Sequence, residues 1–167
     1  AQKWYWILKR NGSLLFASRK RIALQFLYGL NYLHAKGLLH RDISLQNVLL
    51  KVFDDGAVLV KLSDFGLVKD KTSQFTRTQT EMRGTIRDPL LDNFKSYDVA
   101  NEMYSIGWVL SYIFTGKESL SSVGDEASRI VQKCAAHDLS ARYPNVLELI
   151  ADVERLEAKP TASQPPA

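Results

Sequence analysis

His40-Arg41-Asp42-Ile43-Ser44-Leu45-Gln46-Asn47, followed further along by Asp64-Phe65-Gly66, is the stretch on which the reading of this chain turns. Between the two lie Asn47-Val48-Leu49-Leu50 and Val58-Leu59-Val60-Lys61-Leu62, two short apolar runs separated by Asp54-Asp55-Gly56. Runs of that length around an Asp-Gly turn predict a β-hairpin. Upstream, Arg21 to Leu33 is strongly apolar with helical spacing and stops at Lys36-Gly37, a basic last turn followed by a C-terminal glycine. Being apolar on most sides, this helix is expected to be a buried, central one. Downstream, residues 69–88 are polar and Thr-rich and read as an exposed loop. A second apolar helix is predicted over Asn101 to Phe114, closed by Thr115-Gly116, then a loop from Ser119 to Gly124. Further helices are predicted over 125–136 and, after Pro144, over 145–158. The order of helices, one small β-hairpin and more helices predicts a mainly α domain.

The bulk properties agree with one soluble globular unit. At 167 residues with 46% apolar and 24% charged side chains, the chain can bury a core of its own. The net charge of +4 is small and scattered, which argues against nucleic-acid binding. A single cysteine, Cys134, cannot form an internal disulfide and reads as a small buried helix residue in an intracellular, cytoplasmic protein. No apolar run approaches the roughly 20 residues that cross a bilayer. His34 and His137 have no partners at metal-ligand spacing. The chain lacks an initiator Met and reads as a piece of something longer.

Taken singly, Asp42 could be a capping aspartate and Asn47 a turn residue. Taken together and in this order, they resemble the catalytic loop H-R-D-x-x-x-x-N and the D-F-G metal loop of eukaryotic-like (Hanks-type) serine/threonine protein kinases, with some similarity to bacterial members. The resemblance runs from about residue 20 to 158. Tyr32-Leu33-His34 looks like the end of the helix entering the catalytic loop, Gly84-Thr85 like the substrate-facing loop, and Asn101 to Gly107 like the family's buried anchoring helix. It implies a kinase C-terminal lobe, a helical bundle whose β-hairpin carries the catalytic and metal-binding loops. By that reading residues 1–13, with Trp4-Tyr5-Trp6-Ile7-Leu8, end the last small-lobe strand and the hinge. Residues 14–158 form the large lobe, and 159–167 a Pro-rich tail or linker.

The resemblance implies ATP and Mg²⁺ as cofactors, a protein substrate and the chain's own small lobe as partners, and transfer of phosphate to Ser or Thr. Asp42 would be the base, with Asn47 and Asp64 as oxygen ligands for Mg²⁺. Thr85 would hydrogen-bond Asp42. Arg41 would pair with a phosphate on the activation loop, for which Thr76, Thr78 and Thr80 are candidate sites beside Thr72 and Ser73. A flexible polar loop explains the same threonines without regulation.

The sequence departs from the pattern in four places. The Gly-rich loop and its lysine are missing, so the chain alone is expected to bind ATP weakly. Ser44 stands where serine/threonine kinases carry a lysine that steadies the transferred phosphate. The A-P-E motif reads Asp88-Pro89-Leu90, and Leu90 cannot pair with the arginine matched by Arg142, which must then be solvated or find another carboxylate, such as Glu102 or Asp138. Glu102 itself replaces an aspartate, and the substrate-docking helix before Asp125 is reduced. These leave two other readings open, a pseudokinase serving as a binding or scaffold module and a small-molecule phosphotransferase.

Overall fold

The computed structural model describes residues 2–3, 14–65, 69–70, 86–120 and 125–158. Trp4 to Leu8, Gly66, the threonines at 72, 76, 78, 80 and 85, and the tail from 159 onward lie outside the described residues. Helix α1 (Phe16–Ala35) ends where Gly37 adopts a left-handed φ of 73°, the conformation glycine takes without a Cβ penalty. It leads into strand β2 (Leu38–Leu39), the 40–47 segment and strand β3 (Val48–Val52). The chain turns at Gly56, φ 83°, into strand β4 (Val58–Leu62). The β3–β4 pair is antiparallel with Leu50 opposite Val60, and β1 (Gln2–Lys3) adds to the other edge of β3 with Lys3 opposite Leu49. Strand β5 (Lys69–Asp70) pairs antiparallel with β2. The predicted loop over 69–88 is therefore corrected at both ends: Lys69 and Asp70 are in a strand, and Asp88 is buried.

Helix α2 (Val99–Thr115) is the most buried helix, with eleven buried residues. Its start is closed by a reciprocal cap, in which Asp98 accepts from the Ala100 N–H and Asn101 accepts from the Asp98 N–H. Its end is closed by Gly116 at φ 70°. Helices α3 (Glu126–Cys134) and α4 (Val146–Glu154) complete the bundle, α3 against α2 and α4 against α1. A Cβ at Gly107 would stand 2.7 Å from that of Cys134, so glycine lets α2 and α3 approach backbone to backbone. Cys134 is a buried, free thiol, and burial pushes its pKa up, as its reading as a core residue expected.

The first helix is central as expected, packing against β2, β4, α2 and α4, but the expectation that it is buried on most sides is corrected. Ile22, Ala23, Phe26, Leu27 and Leu30 bury one stripe of α1, while Tyr28 and Tyr32 on the opposite side stay exposed. Aromatic side chains with a polar tip tolerate water, so a count of apolar letters overstated the buried face.

Candidate active site

The hairpin brings the two motifs together. Val48 at the start of β3 faces Leu62 at the end of β4, so the residues just outside that pair, Asn47 and Ser63, meet. The Ser63 N–H donates to the Asn47 carbonyl at 2.8 Å, and the next residue is Asp64. A pairing register of β-strands therefore fixes how far the 40–47 segment stands from Asp64.

Within that segment the backbone is pinned from three directions. Asn47 donates through Nδ2 to the Asp42 carbonyl at 2.9 Å and to its carboxylate Oδ2 at 3.0 Å. That leaves Oδ1 as the remaining side-chain acceptor of Asn47. His40, fully buried, accepts the Asp42 N–H at Nδ1 and faces the Ser63 carbonyl with Nε2 at 2.9 Å. Those partners require the neutral ring with its proton on Nε2, since only a protonated nitrogen can serve a carbonyl. His40 also packs its ring against Phe65 at 5.4 Å. The third tether is Glu102 on α2, whose carboxylate accepts the Arg41 N–H at 2.7 Å and the His40 N–H at 3.3 Å. Its side chain is wholly buried and also meets the His34 ring and the Tyr97 hydroxyl. Desolvation, reinforced by the Glu102 charge and hydrogen bond, holds the Tyr97 phenol well above its ordinary pKa, so it stays a donor.

Two residues here take backbone conformations that side chains rarely adopt: Arg41 at φ 66° and Asp64 at φ 60°. They are the positive-φ residues other than glycine among those described, and both flank Asp42 or the hairpin end. Strain of this kind survives only where surrounding contacts over-determine it. Asp42, Arg41 and Ser44 are buried, whereas the Asp64 side chain is exposed. The Asn47 Oδ1 and Asp64 carboxylate are hard oxygen donors, the type that suits Mg²⁺. Among the described residues no group of three or more His, Cys, Asp or Glu side chains gathers to hold a metal unaided.

Arg142 does find another carboxylate, though not either of the two named from the sequence. Its partner is neither Glu102, committed to residues 40–41, nor Asp138, which caps Ser140. Arg142 forms a two-pronged pair with Asp88, Nη1 to Oδ2 at 2.5 Å and Nη2 to Oδ1 at 3.1 Å, with both side chains buried. Asn101 Nδ2 and the Leu90 N–H also donate to that carboxylate, at 2.9 and 3.0 Å. Burial pulls the Asp88 carboxyl upward, but hydrogen bonds from Arg142, Leu90 and Asn101 with the Arg142 charge outweigh it and hold the pKa below the usual value. Two partners escaped the sequence reading, Asp88 for Arg142 and His34 for Glu102. The His34 signal was available, because His34 ends the helix that feeds the 40–47 segment.

Comparison with known proteins agrees with this geometry. Residues 3–159 match the family model described as the protein kinase domain. The chain is 34% identical over 107 residues to the serine/threonine-protein kinase BCK1/SLK1/SSP31 of Saccharomyces cerevisiae, covering 62% of this chain and 7% of that protein. It is 30% identical over 159 residues to the leaf rust 10 disease-resistance locus receptor-like protein kinase-like 1.3 of Arabidopsis thaliana, covering 86% of this chain and 23% of that protein. With mitogen-activated protein kinase kinase kinase 20 of the same plant it shares 32% identity over 130 residues, 75% of this chain and 36% of the relative. The chain therefore spans well under half the length of these relatives. The match over nearly its whole length shows that this chain belongs to the protein kinase domain family, with a serine/threonine-protein kinase and a mitogen-activated protein kinase kinase kinase among its relatives.

Proposed function

We propose that the chain is the large lobe of an ATP- and Mg²⁺-dependent serine/threonine protein kinase, acting with a small lobe that supplies the rest of the ATP cradle. The observation that carries this reading is the fixing of Asp42 by Asn47, His40 and the Glu102 tether on its flanking amides. A base held this way costs little reorganisation when the acceptor arrives. Asp42 accepts the proton of the Ser or Thr hydroxyl as that oxygen bonds to the γ-phosphorus. The bond from phosphorus to the bridging oxygen breaks, and ADP leaves. Asn47 and Asp64 would hold Mg²⁺, whose chemistry is to offset charge on the transferring phosphoryl group. Arg41 is the proposed partner for a phosphate on Thr76, Thr78 or Thr80, and Thr85 the proposed hydrogen-bond partner of Asp42.

Ser44 favours a second reading, a pseudokinase that binds or scaffolds, because serine supplies no charge to the transferred phosphate. Leu90 no longer favours it, since Asp88 fills the Arg142 pair. The test is phosphoamino-acid analysis of a protein acceptor incubated with the full-length protein, ATP and Mg²⁺. Phosphoserine or phosphothreonine that requires Mg²⁺ upholds the kinase reading. A folded protein that labels nothing, itself included, favours the scaffold.

A further inference from the structure

The sheet that carries the two motifs has one strand edge left to cover. β1 takes the outer edge of β3, so β4 forms the other border of the sheet. The register fixes which backbone groups point outward. Ser63 bonds to Asn47, and the antiparallel alternation then gives Lys61 to Leu49 and Leu59 to Lys51. The Val58 carbonyl and the Val60 N–H therefore turn away from β3, and groups of this kind need a partner elsewhere. Gln25, in the middle of α1, supplies it with both ends of its amide. Its Nε2 donates to the Val58 carbonyl and its Oε1 accepts the Val60 N–H, each at 3.0 Å. One turn further along α1, Gly29 lies against the Leu62 side chain. The helix thus grips β4 along its length, up to two residues before Asp64. Asp64 itself sits at φ 60°, a conformation that only firm surroundings maintain.

We propose that Gln25 is a positioning residue for Asp64: its amide locks β4 on α1, the helix that also feeds the 40–47 segment, and so sets the Asp64 carboxylate against Asn47. This rests on the kinase reading above and places Gln25 on the Mg²⁺ side of the site. Pairing with β3 fixes the spacing of Asn47 and Ser63, but by itself it would leave the hairpin free to tilt as a unit on the helix. The side-chain amide removes that freedom. Gln25 touches neither nucleotide nor ion in this account and acts through the strand it holds.

The decisive variant is Gln25→Met in the full-length protein, which keeps the length of the side chain and makes neither bond. Hydrogen exchange at the Val60 and Ser63 amides should quicken, while Leu59 and Lys61, bonded to β3, stay protected. With saturating ATP and myelin basic protein as acceptor, the free Mg²⁺ giving half-maximal transfer should rise about tenfold, in the range lost when groups that orient metal ligands are removed. The acceptor KM should move less than about twofold, a split that a general loss of stability would not produce. Should this variant fail to fold, Gln25→Glu, which keeps the Val60 bond and loses the other, carries the same Mg²⁺ readout. An unaltered Val60 amide would overturn the proposal, and so would an unchanged Mg²⁺ midpoint beside a faster Val60 amide, which makes Gln25 a structural prop. Should the wild-type protein transfer no phosphate, the kinase reading fails by itself, and exchange at Ser63 still decides whether Gln25 holds the hairpin end.

Discussion

Replacing Glu102 by alanine should destabilise the domain more than any substitution on the exposed surface. Its carboxylate is wholly buried and is the acceptor given to two backbone N–H groups, those of Arg41 at 2.7 Å and His40 at 3.3 Å. A buried donor stripped of its acceptor costs about 1–3 kcal/mol, so the two together cost about 2–6 kcal/mol, before counting the Tyr97 hydroxyl and the His34 ring. Against a typical domain stability of about 5–15 kcal/mol, that is a large fraction. Aspartate at this position keeps the charge but falls a methylene short, and should cost less than alanine by at least about 1 kcal/mol. Glutamine keeps one acceptor oxygen but turns an amide donor toward another N–H, and should fall between the two. Denaturant unfolding of the purified protein, read as a shift in midpoint at constant slope, measures all three. An alanine variant within about 0.5 kcal/mol of wild type would refute the claim that Glu102 anchors the 40–41 backbone, because that is the range of inert surface changes.

Gly107→Ala forces a Cβ to 2.7 Å from that of Cys134 and should cost about 1–3 kcal/mol in the same assay. Cys134→Ala should not rescue it, since the clashing Cβ remains. For pH, the Asp88 carboxyl is held below its ordinary pKa in the folded protein, so its stabilising share is complete above the unfolded value of about 3.9 and is lost as pH falls through the folded one. Thermal unfolding against pH should therefore show the stability gap between wild type and Asp88→Asn closing below about pH 4. A gap constant from neutral pH to strong acid would contradict the direction of that shift. Ser44→Lys in the full-length protein should raise kcat by about tenfold if the missing cation limits the transition state, and steady-state kinetics would report it. No gain would mean that charge is already supplied to that phosphate by another route.

What the sequence made legible follows from how local each determinant is. Gly37, Gly56 and Gly116 mark a turn or helix end through their own φ values, and each stands where its letter and neighbours placed a boundary. The hairpin and its flanking motifs were legible for the same reason, since turn chemistry and an alternating register are short-range. The strand Lys69–Asp70 was not, because a two-residue strand exists only through its partner, Leu38–Leu39. The Asp88–Arg142 pair joins residues 54 apart, and among several carboxylates nothing local says which one the fold delivers. A motif-based search looked at position 90 and passed over the carboxylate two residues earlier. The exposed side of α1 was missed because apolar letters record chemistry, not what lies across from them.

Asp42 is the proposed base of the phosphoryl transfer, and everything else in the site is arranged around it. The most direct measurement is labelled-phosphate transfer from ATP to a protein acceptor by the full-length protein, beside an Asp42→Asn variant shown to be folded. Asparagine keeps the shape and can still meet Asn47, so the fold should survive while transfer falls by about 10²-fold or more, the share a positioned base supplies. Equal transfer by the two proteins would contradict the assignment of Asp42. No transfer by the wild type would remove the kinase activity and leave a scaffold built on the same buried anchors.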